Sequence, residues 1–216
     1  MRIDIFSDIV CPWCYLGRTR FQQAVATYDG SVEVTWRPFQ LDPDAPATAE
    51  PATERLAAKF GGRARVTEMH ERMRELTSAE GLRYEPERAL RANTRDAHRL
   101  VWWAGREGDQ DAMVDRLFRA YHAEGRNIAD AETLVALVAE TGQDADRARA
   151  LLGTDEGVAE VEHDLEQTRA LGITGVPFFL FEDAWAVSGA QPAEVFGAAL
   201  REVERKLATS GADPSA

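Results

Sequence analysis

The stretch "DIFSDIVCPWCYLG", residues 4–17, decides the interpretation of this chain because it holds both of its cysteines, Cys11 and Cys14. Apolar and polar residues alternate before them, which predicts a short strand ending near Asp8. Apolar residues recur at near-helical spacing after them, which predicts a helix that ends near Tyr28. The two cysteines are therefore expected at the N-terminus of a helix that follows a strand.

The remainder of the chain predicts a second strand, a helical block and a closing β-β-α unit. "SVEVTWRPF" (31–39) alternates again, and after a proline-rich linker the periodicity is helical over 52–60, 63–80, 86–107, 109–123, 130–141, 144–151 and 155–171. "VPFFLFED" and "AWAVSG" predict a hairpin that turns at Glu182-Asp183, and "QPAEVFGAALREVERKL" predicts a final helix.

This order of elements predicts an α/β chain: a thioredoxin fold with a large all-helical insertion. Residues 1–42 and 172–208 are expected to form the thioredoxin-like domain. Residues 43–171 are expected to form the insertion, whose last helix rejoins that domain, and residues 209–216 a flexible tail.

The composition restricts the binding partners and the cellular compartment that we expect for this protein. The chain has 25 Lys and Arg against 37 Asp and Glu, a formal net charge of −12, and no basic cluster, which disfavours nucleic-acid binding. No apolar run approaches the roughly 20 residues of a membrane helix, and the N-terminal sequence does not have the pattern of a signal peptide. We therefore expect a cytoplasmic protein without a membrane partner, where a purely structural disulfide would not stay oxidised. The oligomeric state is left open, a homodimer included.

Three interpretations of the cysteine pair compete: half a metal site, two buried core residues, or a redox dithiol. A zinc site needs further ligands, but there is no third cysteine and the four histidines form no H-x-x-H pair, so no metal is expected. The redox interpretation has a mechanism, because helix N-terminal amides and the helix dipole stabilise a thiolate. Cys11 would attack, and Cys14, one turn later, would resolve the mixed disulfide. Pro12 fits the first turn, where its missing N–H costs nothing.

A second signal lies far along the chain, in "TGVPFF" (174–179). Pro177 either begins a strand or forms a cis-proline loop that faces the cysteines. In the second case the backbone N–H and C=O of Val176 are free to pair with a substrate. Pro12, Trp13, Val176 and Pro177 are then the expected substrate contacts.

Four blocks of sequence together resemble the DsbA family, in particular its FrnE-like branch: "CPWCYLG", "NTRDAHRL", "LFRAYHAEGRNIAD" and "GITGVPFFLFEDAWAVSGAQP". That branch is similar to 2-hydroxychromene-2-carboxylate isomerases and kappa-class glutathione transferases. The resemblance implies thiol–disulfide oxidoreductase or isomerase activity, with Cys11 attacking, Cys14 resolving and Pro177 as the cis-proline. It implies no metal or organic cofactor, with glutathione or another thiol as a candidate redox partner.

Departures from the relatives sharpen the prediction. The isomerase and transferase relatives generally carry serine where this chain has Cys11, so the dithiol favours redox chemistry over glutathione-dependent isomerisation. The histidine that strongly oxidising relatives place between their cysteines is missing, which predicts a less oxidising couple. A glutathione-dependent isomerase or transferase and a chaperone-like peptide-binding module remain as alternatives.

Polar residues outside the motif are harder to interpret. His98 either lines the cleft between the insertion and the thioredoxin core or sits at the edge of a packed helix face. Asp8 either modulates the thiols electrostatically or merely ends the first strand. Trp13 is expected at the binding surface, and His122 and His163, on charged helices, receive no function.

Overall fold

A parallel β-α-β unit opens the fold. The computed structural model describes residues 1–210, and in it β1 (Arg2–Ser7) leads into α1 (Pro12–Ala26) and β2 (Glu33–Pro38). The two strands pair in parallel, with Ile5 opposite Trp36. The predicted strand, helix and strand are confirmed, and each differs from its predicted limits by only a few residues.

The C-terminal β-β-α unit completes the sheet. Strands β5 (Phe178–Phe181) and β6 (Trp185–Ser188) pair antiparallel, and the sheet order is β2-β1-β5-β6, so β1 is central. Glu182 and Asp183 make the predicted turn with positive φ angles of 49° and 54°. Helix α9 (Ala193–Ser210) continues past the predicted end of the helix, so 209–210 are helical rather than part of a tail. The rest of the predicted tail lies outside the described residues.

The insertion is mainly helical, as predicted. Its helices are α2 (Thr53–Phe60), α3 (Arg63–Ala79), α4 (Arg95–Glu107), α5 (Gln110–His122), α6 (Ala131–Glu140), α7 (Ala145–Leu152) and α8 (Val158–Ala170).

The insertion is not entirely helical, however, and the helix predicted at 86–107 begins only at Arg95. Residues 86–88 form one 3₁₀ turn, and β4 (Leu90–Arg91) pairs antiparallel with β3 (Glu50–Pro51), inside the predicted linker. The side chain of Asn93 accepts a hydrogen bond from the Arg95 N–H, at 2.9 Å. The backbone hydrogen bonds between β3 and β4 hold residues 90–91 in an extended conformation, and the Asn93 side chain binds the N–H of the first helical residue. The helix therefore does not start earlier.

One continuous core joins the thioredoxin elements to the helices. The rings of Phe21, Phe179 and Phe196 bring α1, β5 and α9 together, with centroids 4.5 to 5.6 Å apart, and all three are almost fully buried. Aromatic contacts of this kind add to the free energy of burying each ring.

Helix α8 packs along β2, as its contacts show. The Thr168 hydroxyl donates to the Pro38 carbonyl at 3.2 Å, and Arg37 lies 3.5 Å from the Asp164 carboxylate. The division of the chain into 1–42 with 172–208 and 43–171 stays a prediction. Within residues 1–210, no helix is both long and apolar enough to cross a membrane.

Candidate active site

The backbone places Cys11 at the N-cap of α1. Its φ and ψ angles of −87° and 112° are extended, and Pro12 takes the first helical position. The Cys11 N–H donates to the Asp8 carbonyl at 3.0 Å, while the N–H groups of Cys14 and Tyr15 donate to the Cys11 carbonyl at 3.0 and 3.2 Å. The Cys11 side chain therefore lies at the positive end of the α1 dipole, as the motif predicted.

The two thiols differ in access. Both are free and almost fully buried, at 3% exposed for Cys11 and 1% for Cys14, but of the two only Cys11 lines the cavity described below. Burial raises the pKa of the Cys14 thiol well above its ordinary value, and the neighbouring Cys11 raises it further. The Ser7 hydroxyl beside it opposes this effect and lowers the pKa of that thiol. An incoming sulfur therefore meets Cys11 first.

The loop before β5 meets the cysteine motif. The Val176–Pro177 peptide bond is cis, and the Cys11 sulfur lies 3.7 Å from the Val176 carbonyl oxygen, as donor to acceptor. Gly17 on α1 faces the same loop so closely that a Cβ there would lie 2.9 Å from Cγ of Pro177. The structure therefore brings Cys11, Cys14, Val176 and Pro177 together.

A cavity of about 700 Å³ opens above Cys11. On the motif side it is lined by Cys11, Pro12, Trp13 and Val176, and Trp13 is 44% exposed. The opposite side is formed by α2 and α3, whose contributions include Leu56, Phe60, Met69 and Met73. The volume and the apolar lining are typical of small-ligand sites.

His122 belongs to this site, although its sequence context indicated nothing. It is buried, lines the cavity, stacks on the Tyr15 ring with centroids 5.2 Å apart, and lies 3.0 Å from the Ile9 carbonyl through Nε2. Since a carbonyl can only accept, Nε2 carries the proton. Burial lowers the pKa of His122 to about 3, so the ring is neutral at physiological pH. The one feature of the sequence that could have indicated a role for His122 was its position in the last turn of α5, a helix that is largely buried in the structure.

His98 does not reach the Cys11 cavity. It is 4% exposed, its Nε2 lies 3.0 Å from the Phe39 carbonyl and 3.4 Å from Oδ1 of Asp8, and it borders a separate cleft of about 870 Å³. His98 is thus buried at the edge of a packed face away from the Cys11 cavity, and its predicted contact with substrate stays a prediction.

Asp8 does more than end β1. Its Oδ2 accepts from the Leu41 N–H at 2.8 Å, while Oδ1 is buried without a hydrogen bond that meets normal criteria. The Ser7 hydroxyl is also buried without such a partner. Two polar groups without a full set of hydrogen bonds thus lie directly before the cysteine motif.

An ion network around the buried Arg18 fixes α1 against the insertion. The Arg18 guanidinium donates to Asp111 at 2.6 and 3.2 Å and to Asp115 at 2.6 Å. Asp111 also accepts from the indole N–H of Trp36 at 3.2 Å. Bidentate pairs of this kind set orientation as well as energy, so the helix that carries the cysteines is held in one position.

Comparison with known proteins agrees with this geometry. The family model described as a DSBA-like thioredoxin domain matches residues 2–201. The crystal structure of a probable DsbA oxidoreductase from Streptomyces coelicolor is 39% identical and superposes with a TM-score of 0.87, covering 94% of this chain and 89% of its own.

Two more distant structures share the fold. Cytosolic disulfide reductase DsbM from Pseudomonas aeruginosa, solved with GSH, is 21% identical with a TM-score of 0.67, covering 95% of this chain and 100% of its own. A 2-hydroxychromene-2-carboxylate isomerase is 16% identical with a TM-score of 0.69, and both chains are covered completely. The FrnE-like branch predicted from the motifs is consistent with these neighbours. The extent of the family match and the 39% identity together show that this chain belongs to the DSBA-like thioredoxin domain family.

Proposed function

We propose that this protein is a thiol–disulfide oxidoreductase that works through a mixed disulfide on Cys11. The observation that carries the proposal is the unequal placement of the two thiols: Cys11 opens into the cavity beside the Val176 carbonyl, and Cys14 is buried one helical turn behind it. An accessible attacking sulfur and a shielded resolving sulfur are what a dithiol cycle requires.

The proposed cycle consists of two thiol–disulfide exchange steps that together transfer two electrons. The Cys11 thiolate attacks one sulfur of a substrate disulfide, forming a mixed disulfide and releasing the other half as a thiolate. Cys14 then loses its proton and attacks the Cys11 sulfur, which releases the second substrate half and leaves a Cys11–Cys14 disulfide. Two electrons pass from the protein to the substrate, and the reverse sequence oxidises a substrate dithiol.

The high pKa of Cys14 determines which of the two thiols reacts first. Because burial keeps Cys14 protonated, it does not compete with Cys11 for the incoming disulfide. The Ser7 hydroxyl is placed to stabilise the Cys14 thiolate when it forms. Glutathione is a suitable thiol to return the pair to its dithiol state, and the distant relative DsbM was solved with GSH. We place the activity in the cytoplasm, in keeping with that relative's description as cytosolic.

A glutathione-dependent isomerase is the second candidate, favoured by one observation, the fold shared with a 2-hydroxychromene-2-carboxylate isomerase. Such a reaction needs no electron transfer to the protein and hence no second thiol. The buried Cys14 has no role in it.

Two serine variants test the proposal. Cys11→Ser is expected to abolish thiol–disulfide exchange, measured as glutathione-coupled reduction of a model disulfide. Cys14→Ser is expected to accumulate a stable mixed disulfide on Cys11, seen by intact-protein mass spectrometry after incubation with glutathione disulfide. Exchange at the wild-type rate in Cys11→Ser would rule the redox cycle out, and no glutathione adduct on Cys14→Ser would rule out Cys11 as the attacking group.

A further inference from the structure

The mouth of the Cys11 cavity is basic in an otherwise acidic protein. Five cationic side chains line the cavity against three anionic ones, whereas the whole chain has a formal net charge of −12. The cations are Arg55, Lys59, Arg65, Arg72 and Arg91, and the anions are Asp42, Glu68 and Glu85. Charge of one sign around a concave site attracts ligands of the other sign.

Two of these cations have no acidic partner. Within residues 1–210, no carboxylate oxygen lies within 4.0 Å of Lys59 or Arg65, and both side chains are exposed. Many cations outside the cavity are neutralised: Arg116 and Arg147, for example, each contact two glutamates. At the cavity itself Arg91 is held by Asp42 at 2.8 Å and by Glu50 at 3.0 Å. The charge available to a ligand therefore comes from the α2–α3 turn, where Lys59 and Arg65 lie.

Below this basic mouth the cavity is apolar. Leu56, Phe60, Met69 and Met73 face it from α2 and α3, and Trp13 faces it from the motif. A volume of about 700 Å³ suits one small molecule. A stable protein–protein interface instead buries roughly 800 Å² on each partner, and Cys11, only 3% exposed, is recessed from any flat surface of that kind.

We propose that the substrate of this site is a small thiol or disulfide with an apolar, ring-sized body and an anionic group. The body fills the space between Trp13 and the α2–α3 hairpin, the anionic group lies against Lys59 and Arg65, and the sulfur meets Cys11. This inference rests on the proposed function, and it adds the class of compound with which Cys11 exchanges electrons. The substrate disulfide accepts two electrons from the protein dithiol and leaves as two thiols.

A matched pair of disulfides tests the charge. 4,4′-Dithiodibenzoate and its neutral bis-amide have the same shape, and their rates are normalised to their rates with free dithiothreitol. We expect the wild type to have a higher normalised kcat/KM for the acid than for the bis-amide. The double variant Lys59→Gln/Arg65→Gln is expected to lower this ratio about tenfold. Arg106→Gln/Arg201→Gln is the control. It also removes two positive charges that have no carboxylate of residues 1–210 within 4.0 Å, but from outside this cavity, and it is expected to keep the preference.

A redox-inert ligand separates this inference from the proposed function. Naphthalene-2-carboxylate is expected to bind Cys11→Ser in calorimetry and to bind Lys59→Gln/Arg65→Gln about tenfold more weakly, whether or not exchange chemistry occurs. An unchanged acid preference in the double variant would overturn the inference, as would an equal loss in the control pair. It would also be overturned if an unfolded disulfide-containing protein were reduced efficiently and naphthalene-2-carboxylate failed to inhibit that reduction.

Discussion

The two walls of the Cys11 cavity are built differently. The floor, formed by α1, β1 and the segment 176–181, consists of elements that belong to the main core, and Ile5, Phe21 and Phe179 are almost fully buried in it. The roof, formed by α2 and α3, is more exposed, and α2 buries no side chain fully. Ion pairs such as Arg20 with Glu80 help to hold the roof to the floor.

This difference assigns separate tasks to the two walls. The chemistry needs sulfur atoms held in place, which a densely packed floor provides. Admission and recognition of a ligand need a wall that can adjust, and elements with few buried contacts open most easily. The reacting groups thus lie on the rigid wall, and the unneutralised charges lie on the weakly anchored one.

The largest expected effect comes from removing the same side chain from each wall. Leu16→Ala in the floor is expected to reduce the free energy of unfolding by about 2–5 kcal/mol, because it leaves a cavity in a fully buried site. Leu56→Ala in the roof removes a half-buried side chain and is expected to cost less than about 1.5 kcal/mol. Urea unfolding followed by circular dichroism measures both, and equal costs would contradict the contrast between the walls.

The response to acid should depend on His122, the last residue of α5, whose ring stacks on Tyr15 of the floor. Its pKa is about 3 in the folded protein against 6.5 ordinarily, so between these values the unfolded chain binds a proton that the folded chain does not. Stability from this residue is therefore complete above pH 6.5 and declines as the pH falls, by about 1.4 kcal/mol per pH unit.

The variant His122→Gln isolates that contribution. We expect the slope of unfolding free energy against pH, measured between pH 4 and 6, to become shallower by about 1.4 kcal/mol per unit. Exposed His163 provides the control, and His163→Gln should leave the slope close to that of the wild type. A steep slope that survives in His122→Gln would assign the acid sensitivity to other groups.

A smaller change in the floor tests how closely the motif and the Pro177 loop must fit. In Gly17→Ala the new methyl group would lie 2.9 Å from Cγ of Pro177 and 3.4 Å from Ala190, so the loop has to move. We expect a loss of about 1–3 kcal/mol in stability and slower exchange at Cys11. The control Gly197→Ala, in α9, meets only the Arg201 side chain at 3.4 Å or more and is expected to be neutral or stabilising. Wild-type activity in Gly17→Ala would show that the fit is not needed.

Periodicity and turn chemistry were sufficient to predict the frame of the floor. Alternation predicted β1 and β2, and the spacing of apolar residues predicted α1 with Cys11 at its start, because these patterns follow from which face of each element is buried. The family motifs predicted that Pro177 would lie close to the cysteines, a contact between residues far apart in sequence that periodicity cannot reveal.

The parts that could not be predicted depend on tertiary partners. The helix expected at 86–107 starts late because its first residues find backbone partners in β3 and an amide partner in Asn93. His122 received no function because its helix is charged, yet its ring stacks on Tyr15 and its Nε2 meets the Ile9 carbonyl. A helical repeat shows that a face is buried but not which neighbour covers it.

The smallest expected effect concerns a single hydroxyl in the floor. Ser7 is buried, and its hydroxyl lowers the pKa of Cys14 against the effect of burial. Ser7→Ala removes the hydroxyl that can donate to the Cys14 thiolate, so the pKa of Cys14 should rise further and its thiolate should be scarcer at pH 7. We expect resolution of a Cys11 mixed disulfide to slow by about two- to tenfold, the kinetic equivalent of one hydrogen bond of about 0.5–1.5 kcal/mol.

Stopped-flow release of a chromogenic thiol from the preformed mixed disulfide measures this step directly. The rate should recover as the pH is raised, because deprotonation of Cys14 limits it, and attack by Cys11 in the first step should be unaffected. Ser78→Ala, an exposed serine on the roof, is the matched control and should resolve at the wild-type rate. If Ser7→Ala slows both steps equally, the hydroxyl supports the whole motif and does not act on Cys14 in particular. A pH-dependent delay confined to resolution would instead show that the floor tunes the shielded thiol through a residue that no ligand touches.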